Sequence, residues 1–248
     1  MLLAERTLYC EGVKLKCCWL LLLGLGTVWG QRTVSPAEYQ TRRQVMVSEQ
    51  LQARGVKDPR VLAAMARVRR ELFVPPDQRP FAYEDRPLPI GYGQTISQPY
   101  IVALMTELLA PGKKDRVLEV GTGSGYQAAI LGRLAGSVYS LEIVPELARS
   151  AALVLRTKGF RNVRVREGDG YNGWPAFAPY DKILLTAAPP EIPEELLAEL
   201  RPGGRLVAPV GADAQNLVVV DKALDGKTQT RTVIPVRFVP MVRFGSRP

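Results

Sequence analysis

The segment best suited to chemistry is a glycine-rich turn after an apolar run, RVLEVGTGSGYQAAI, at residues 116–130. Its glycines, Gly121, Gly123 and Gly125, follow a G-x-G-x-G spacing, which differs from the G-x-G-x-x-G of dinucleotide enzymes. A pyrophosphate needs a tight turn and an exposed helix N-terminus, whereas a ligand without phosphate needs only close backbone approach. The spacing therefore favours S-adenosylmethionine as the cofactor, with NAD or FAD as the alternative.

Acidic residues stand at the predicted ends of three consecutive strands. Glu119 lies two residues before the first glycine, where it would hold the amino group of the cofactor. Glu142 ends the second strand, where an acid accepts both ribose hydroxyls, and Asp169 follows the third strand between two glycines, where it would accept from an adenine amino group. The predicted cofactor-binding residues are Glu119, Gly121, Gly123, Gly125, Glu142, Asp169 and Gly170.

A long loop rich in proline and glycine, at residues 74–99, precedes these strands. Its composition predicts no regular element of any length, and loops this long are usually retained for function. Near its end, Ser97 has two interpretations. Its hydroxyl either caps a helix over residues 98–109 or binds a substrate anion at the N-terminus of that helix, and the two roles are compatible.

The elements that must position these residues alternate along the chain. Helices are predicted over residues 38–54, from 59 to about 70 with Asp58 as N-cap, and over 98–109. Strands at 116–120, 137–142, 163–167, 183–186 and 205–210 then alternate with helices that begin near 125, 145 and 191. Two more strands, at 217–221 and 230–236, flank an Asp-Gly turn. This order predicts an α/β fold, a Rossmann-like, doubly wound, mostly parallel sheet with a C-terminal antiparallel hairpin.

The composition excludes several mechanisms. The 248 residues include no histidine, so Ser-His-Asp and Cys-His triads and His-ligated zinc are excluded. The three cysteines all lie in the first 18 residues, which leaves the rest of the chain without a thiol for a disulfide, a zinc site or a nucleophile. We therefore expect an enzyme without a metal.

The amino-terminal segment, residues 1–38, is predicted to be an extension outside the catalytic part. Its apolar run at 17–30 follows Lys14 and Lys16, is shorter than the roughly 20 residues of a membrane span, and matches the length of a signal-peptide core. Either it exports or anchors the protein, or translation begins downstream. The supply of the cofactor favours the cytoplasm, with a periplasmic or membrane-anchored enzyme as the alternative. Residues 39–112 are assigned to helices and the substrate loop, and 113–248 to the cofactor-binding core.

Six segments occur in an order and spacing that resemble the protein-L-isoaspartate O-methyltransferase family across residues 39–241. They are PLPIGYGQTISQPYIVALMTELL, VLEVGTGSGYQAAIL, GDGYNGWP, TAAPPEIP, LRPGGRLVAPVG and VRFVPMV, of which Ile-Ser-Gln-Pro and Arg-Phe-Val-Pro are the most diagnostic. The resemblance implies methyl transfer to the free α-carboxylate of L-isoaspartyl residues, and the ester then closes to a succinimide that reopens partly as aspartate. It places the active-site serine at Ser97. The first 38 residues depart from the family pattern.

The residues support the same chemistry independently. A carboxylate has an ordinary pKa of about 4, so it is ionised at neutral pH and attacks a sulfonium methyl group without a general base. Alignment of two bound reactants can then contribute roughly 7–11 kcal/mol to catalysis. Ser97 would hydrogen-bond the attacking carboxylate. The predicted substrate-binding residues around it are Gln94, Thr95, Ile96, Val239 and Pro240.

The net charge of +9 is compatible with several partners. The segment at 186–190, TAAPP, lacks the Asn/Asp-Pro-Pro-aromatic pattern of amino-group methyltransferases, and the basic residues are scattered without interleaved aromatics. We expect isoaspartyl proteins and peptides as partners, no nucleic acid, a membrane only if residues 17–30 are retained, and a monomer. The alternatives are a carboxyl methyltransferase for a small molecule or RNA, and a non-catalytic module that recognises isoaspartyl sites.

Overall fold

A seven-stranded sheet forms the centre of the protein, in a computed structural model that describes residues 34–245. The strands of the described residues are β1 (Leu88–Gly91), β2 (Gln94–Ile96), β3 (Arg116–Val120), β4 (Ser137–Glu142), β5 (Val163–Glu167), β6 (Tyr180–Leu185), β7 (Leu200–Val210), β8 (Gln215–Lys222) and β9 (Thr228–Val236). In the large sheet the order is β5-β4-β3-β6-β7-β8-β9. The first five of these are parallel, and β8 and β9 are antiparallel, which confirms the predicted fold class.

Six α-helices accompany the sheet within residues 34–245. They are α1 (Pro36–Val45), α2 (Pro59–Arg67), α3 (Pro99–Leu109), α4 (Tyr126–Leu134), α5 (Pro145–Thr157) and α6 (Glu194–Glu199). The predicted helix over 38–54 begins two residues earlier, because the Ser35 hydroxyl accepts from the Glu38 N–H at 3.1 Å. It continues beyond α1 as a π-helix and a 3-10 turn and ends at Gly55, whose φ is 94°. The predicted cap of α2 is confirmed, since Asp58 accepts from the Arg60 N–H at 2.8 Å.

Both faces of the sheet are buried in its central strands, as apolar runs in parallel strands predict, whereas the edge strands β5 and β9 are largely exposed. Alternation along β3 sends Val117 to one face and Leu118 to the other. The first face packs against α3 and α4 through Met105, Leu109, Leu131, Val138, Leu184, Val207, Leu217 and Val219. The second face packs against α6 and the segment at 174–180 through Val120, Tyr139, Leu141, Trp174, Tyr180, Ile183, Leu185, Leu196 and Leu206.

The chain changes direction across the sheet at β3. It runs outward from β3 through β4 to β5, and then returns to form β6 on the other side of β3. The carboxyl ends of β3 and β6 therefore border the crevice where open α/β sheets bind their ligands.

The long loop at residues 74–99 contains one 3-10 helix, Pro76–Phe81, and a short antiparallel hairpin made by β1 and β2. Pairing of Leu88 with Ile96 and of Gly91 with Gln94 brings the end of the loop back toward α3. The apolar run at 17–30 and the three cysteines lie outside the described residues. The predicted division of the chain at residue 112 stays a prediction.

Candidate active site

The glycine-rich turn leaves β3 at Val120 and is held by the neighbouring strand β4. The N–H of Gly121 donates to the carbonyl oxygen of Leu141 at 2.8 Å, and the N–H of Thr122 donates to the same oxygen at 3.1 Å. Gly121 has a φ of 95°, a conformation that glycine adopts without the steric penalty of a side chain. The turn thus presents bare backbone to the crevice.

The carboxylate of Glu142 faces this turn from the end of β4. Its Oε2 accepts from the N–H of Gly123 at 2.7 Å, and its Oε1 accepts from the N–H of Val144 at 3.0 Å. Glu142 is 5% exposed, and burial raises its pKa while the N–H groups of Val144 and Gly123 oppose that shift. Glu142, Gly121, Gly123 and Gly170 line one wall of a cavity at the carboxyl ends of the strands, which we call the inner cavity.

Glu119 lies beneath the turn and does not line the inner cavity. It is fully buried and pairs in register with Ser140, whose hydroxyl donates to its Oε2. The Ser140 hydroxyl also lies 2.5 Å from the hydroxyl of Thr122 in the turn. Burial raises the pKa of Glu119 to about 8, with a smaller contribution from Glu142 and an opposing one from Ser140. Glu119 therefore supports the turn from below through Ser140 and Thr122.

Asp169 and Gly170 follow β5, and Gly170 lines the inner cavity. The Asp169 carboxylate accepts from the N–H of Tyr171 at 2.9 Å and from the N–H of Phe244 at 3.2 Å. A Cβ on Gly170 would collide with the Val120 side chain and lie 2.9 Å from the Met241 side chain, so this position excludes a side chain. Asp169 itself is not among the residues that line the cavity.

Gly125, the last glycine of the turn, packs against α5 and does not line the inner cavity. It is the N-cap of α4, with a φ of 85°. A Cβ there would lie 3.2 Å from Leu155 and 3.3 Å from Ala151 of α5. The residue therefore allows close contact between α4 and α5.

Ser97 lies beside a second cavity of about 680 Å³, which we call the outer cavity. Ser97 is half-buried, and its hydroxyl has no hydrogen-bond partner within residues 34–245. The N-cap of α3 is Gln98, which makes no side-chain capping bond. The interpretation of Ser97 as a helix cap is therefore wrong, and its hydroxyl remains available to a ligand in the outer cavity.

The two cavities meet at three residues. Thr95, Thr186 and Val239 line both the inner and the outer cavity. A smaller hollow is lined by Ser97 together with Gly121 and Gly123. Of the other predicted substrate-binding residues, Gln94 and Pro240 line the inner cavity, and Ile96 lines the small hollow. Ligands in the two cavities would thus contact each other at this junction.

Sequence reasoning missed Thr186, which lines all three spaces directly after β6. Its hydroxyl donates to the carbonyl oxygens of Val120 and Gly121, at 3.1 and 2.5 Å. The available signal was its place at the end of a predicted strand, at the same sheet edge as Glu142. Other lining residues to which the sequence gave no site role are Ile101, Ile143, Met241 and Val242, together with Arg237 and Phe238 of the Arg-Phe-Val-Pro motif.

Comparison with known proteins decides the family. The family described as "Protein-L-isoaspartate(D-aspartate) O-methyltransferase (PCMT)" matches residues 41–245. The chain belongs to this family. As a family member it is a methyltransferase, which confirms the resemblance drawn from the six sequence segments and the predicted enzyme class.

Curated family members are close in sequence over most of their length. Protein-L-isoaspartate O-methyltransferase 2 of Syntrophobacter fumaroxidans is 59% identical over 186 residues, which cover 74% of this chain and 75% of that protein. The protein-L-isoaspartate O-methyltransferase of Synechococcus sp. is 55% identical over 212 residues, covering 82% of this chain and 86% of the relative.

Two solved structures of the same family share the fold. One protein-L-isoaspartate O-methyltransferase is 31% identical with a TM-score of 0.73, and the match covers 80% of this chain and 65% of that one. The second, from Plasmodium falciparum in complex with S-adenosyl-L-homocysteine, is 23% identical with a TM-score of 0.72 and covers 81% and 98% of the two chains.

Two further findings concern residues 34–245 as a whole. No helix within these residues is both long enough and apolar enough to cross a membrane. Within the same residues, no group of three or more His, Cys, Asp and Glu side chains is arranged to hold a metal ion.

Proposed function

We propose that this chain transfers the methyl group of S-adenosylmethionine to the free α-carboxylate of L-isoaspartyl residues in damaged proteins and peptides. The observation that carries the proposal is the junction at Thr95, Thr186 and Val239, three residues that line both the cavity beside Ser97 and the cavity beside Glu142. One ligand in each cavity would meet there. The backbone nitrogen of the next residue would then attack the methyl ester and expel methanol. Water would reopen the resulting succinimide partly as aspartate, which makes the enzyme a protein-repair methyltransferase.

The residues of the inner cavity fit S-adenosylmethionine. The cofactor supplies an electrophilic methyl group when it is bound, and it leaves as S-adenosylhomocysteine. The bare backbone at Gly121 and Gly123 allows it to approach closely, and Glu142 keeps lone pairs for the two ribose hydroxyls. Asp169 accepts one N–H at each oxygen, so it holds the turn at Gly170 and keeps lone pairs for an adenine amino group.

Glu119 would act on the cofactor through the glycine-rich turn. It is fully buried, and its contact to the turn passes through the hydroxyls of Ser140 and Thr122. A neutral carboxyl group at this position donates or accepts a hydrogen bond with a hydroxyl without leaving an unpaired charge in the core. We therefore assign Glu119 and Gly125 to the support of the cofactor site.

On the substrate side, Ser97 would orient the attacking carboxylate. Its unpartnered hydroxyl donates one hydrogen bond, and backbone N–H groups of residues 94–97 and near Val239 would complete the anion site. The position before α3 favours negative charge because of the helix dipole. No residue needs to act as a base, since the carboxylate is ionised at neutral pH. Ser97 therefore contributes by aligning the reactants.

Paired peptides test the proposal directly. One peptide carries isoaspartate at a single position, and its partner carries aspartate there. Incubation with methyl-labelled S-adenosylmethionine should label only the isoaspartyl peptide and release one S-adenosylhomocysteine for each label. Equal labelling of both peptides would contradict the proposed substrate, and binding of the isoaspartyl peptide without release would instead indicate a non-catalytic recognition module.

We further propose that the enzyme acts as a monomer in the cytoplasm, where S-adenosylmethionine is made. Mass determination of the amino terminus of the native protein tests the location. A downstream start supports the cytoplasm, whereas a terminus at Gln31 indicates removal of a signal peptide and contradicts it. Light scattering of the purified enzyme measures the oligomeric state.

A further inference from the structure

One wall of the outer cavity is formed by residues 235–239, which continue from the end of β9. The side chain of Gln215 fixes this segment with two hydrogen bonds to Phe238. Its Oε1 accepts from the Phe238 N–H at 2.6 Å, and its Nε2 donates to the Phe238 carbonyl at 3.1 Å. A further bond joins the N–H of Ala188 to the carbonyl of Val239 at 2.8 Å. Because Val236 also pairs with Gln215 in the sheet, the backbone on both sides of Arg237 is held in place.

Arg237 is the one charged residue among the described residues that line the outer cavity. Its side chain is exposed, and it makes no hydrogen bond, ion pair or ring contact within residues 34–245. Some surface arginines are paired, such as Arg54 with Asp85 at 2.7 Å, and others, such as Arg231, are not, but of the unpaired ones among the described residues only Arg237 lines the outer cavity. An unpaired guanidinium on a fixed wall, next to the cavity of Ser97, is well placed to bind an anion.

We propose that Arg237 is a specificity-determining residue that binds a second carboxylate of the substrate, close to the isoaspartyl residue. This inference rests on the proposed function. The second carboxylate is supplied either by the side chain of a neighbouring Asp or Glu or by the terminal α-carboxylate of a peptide. A guanidinium presents paired N–H donors that match both oxygens of a carboxylate, so this group is favoured over a neutral amide of the same size.

The outer-cavity geometry also predicts which kinetic constant responds. Arg237 is separated in sequence from Ser97 and contacts a part of the substrate that does not react. A contact of this kind contributes equally to the ground state and the transition state, so its loss raises KM and leaves kcat unchanged. A change at Ser97, which contacts the reacting carboxylate, would instead lower kcat and leave KM nearly unchanged.

Isoaspartyl peptides of one length test the proposal. Asp or Asn is placed at one flanking position at a time, and a separate pair ends beside the isoaspartate with either a free carboxylate or an amide. At low ionic strength we expect the wild type to prefer the acidic member of at least one pair by about threefold to tenfold in kcat/KM. In Arg237→Gln that ratio falls to about one through KM. In Arg237→Glu it inverts, and a Lys-flanked peptide becomes the better substrate.

Arg231→Gln is the matched control. Arg231 is also exposed on the β9 segment and does not line the outer cavity, so this variant removes the same charge and keeps the preference. Ratios near one at every position in the wild type would overturn the proposal. An equal loss of preference in Arg231→Gln would also overturn it, because it would show an effect of net charge alone. Failure of the proposed function is distinguishable, since it abolishes labelling of every isoaspartyl peptide.

Discussion

The hydroxyl of Thr186 donates a hydrogen bond to the carbonyl oxygen of Gly121 at 2.5 Å. This bond joins the end of β6 to the glycine-rich turn after β3, across the point where the strand order reverses. A Cβ on Gly121 would collide with the same hydroxyl. The contact between these two residues thus requires glycine at position 121 and fixes the junction of the two cavities.

We predict that Gly121→Ala lowers the affinity for S-adenosylmethionine by at least about tenfold. The new Cβ displaces Thr186, and a non-glycine residue at a φ of 95° adds roughly 1–2 kcal/mol of backbone strain. Isothermal titration with the cofactor measures the effect. Gly226→Ala is the control, because Gly226 has a φ of 87° but open space around it. Unchanged cofactor affinity in Gly121→Ala would contradict the assignment of the turn.

Ser97→Ala should separate catalysis from stability. We expect kcat to fall by about 10- to 100-fold, as for a lost hydrogen bond to a charged group, with little change in cofactor affinity. The free energy of unfolding should stay within about 0.5 kcal/mol, because the Ser97 hydroxyl does not cap α3. Urea denaturation and initial-rate kinetics measure the two effects.

Ser35→Ala is the matched control for that experiment. Its hydroxyl accepts from the Glu38 N–H and caps α1, so its loss should cost about 1 kcal/mol of stability and leave kcat unchanged. A stability loss in Ser97→Ala as large as that in Ser35→Ala, with normal kcat, would show that Ser97 has only a structural role.

Glu142→Gln should weaken cofactor binding by about tenfold or more. The glutamine has one acceptor oxygen, so its amide N–H₂ group faces the N–H of Gly123 or of Val144, and a buried donor is left unpaired. Equilibrium binding of S-adenosylhomocysteine measures the loss. Glu146→Gln, an exposed change on α5, should bind normally. Equal affinity in all three proteins would exclude Glu142 from the cofactor site.

Glu119→Gln should alter the pH dependence of stability. The folded-state pKa of Glu119 is raised to about 8 from 4.5, so the unfolded chain loses this proton first as the pH rises. The wild type therefore loses stability between about pH 4.5 and 8, whereas glutamine does not titrate. We expect Glu119→Gln to gain at least about 1 kcal/mol relative to wild type between pH 5 and pH 8.

Urea denaturation at both pH values measures this difference. The amide of glutamine retains an oxygen that accepts from Ser140, so the link to the turn through Thr122 is kept. A constant difference between the two proteins from pH 5 to pH 8 would show that Glu119 titrates normally in the folded state.

Local sequence patterns were sufficient to predict the central strands and the order of the strands and helices along the chain. The predicted bounds of β3, β4 and β5 agree with the structure, because each is an apolar or alternating run between turn residues. The predicted strands at 183–186 and 205–210 are longer in the structure and begin at Tyr180 and Leu200. Their first residues pair across an irregular register, and the Pro-Gly-Gly in β7 masked that strand in the sequence.

The sequence by itself determined the α/β fold and the position of the glycine-rich turn, since hydrophobic pattern and glycine spacing are local features, and six of its segments carried the resemblance to the family. Tertiary structure decided which side chains reach the cavities. It buried Glu119 on the sheet face under α3 and α4, and it left the Ser97 hydroxyl without a capping bond to α3. It also placed Thr186 at the junction of the two cavities and Arg237 on the wall of the outer cavity. These outcomes depend on strand pairing and on packing between residues far apart in the chain. A local sequence pattern does not encode such contacts, so it does not predict which side chains reach a cavity.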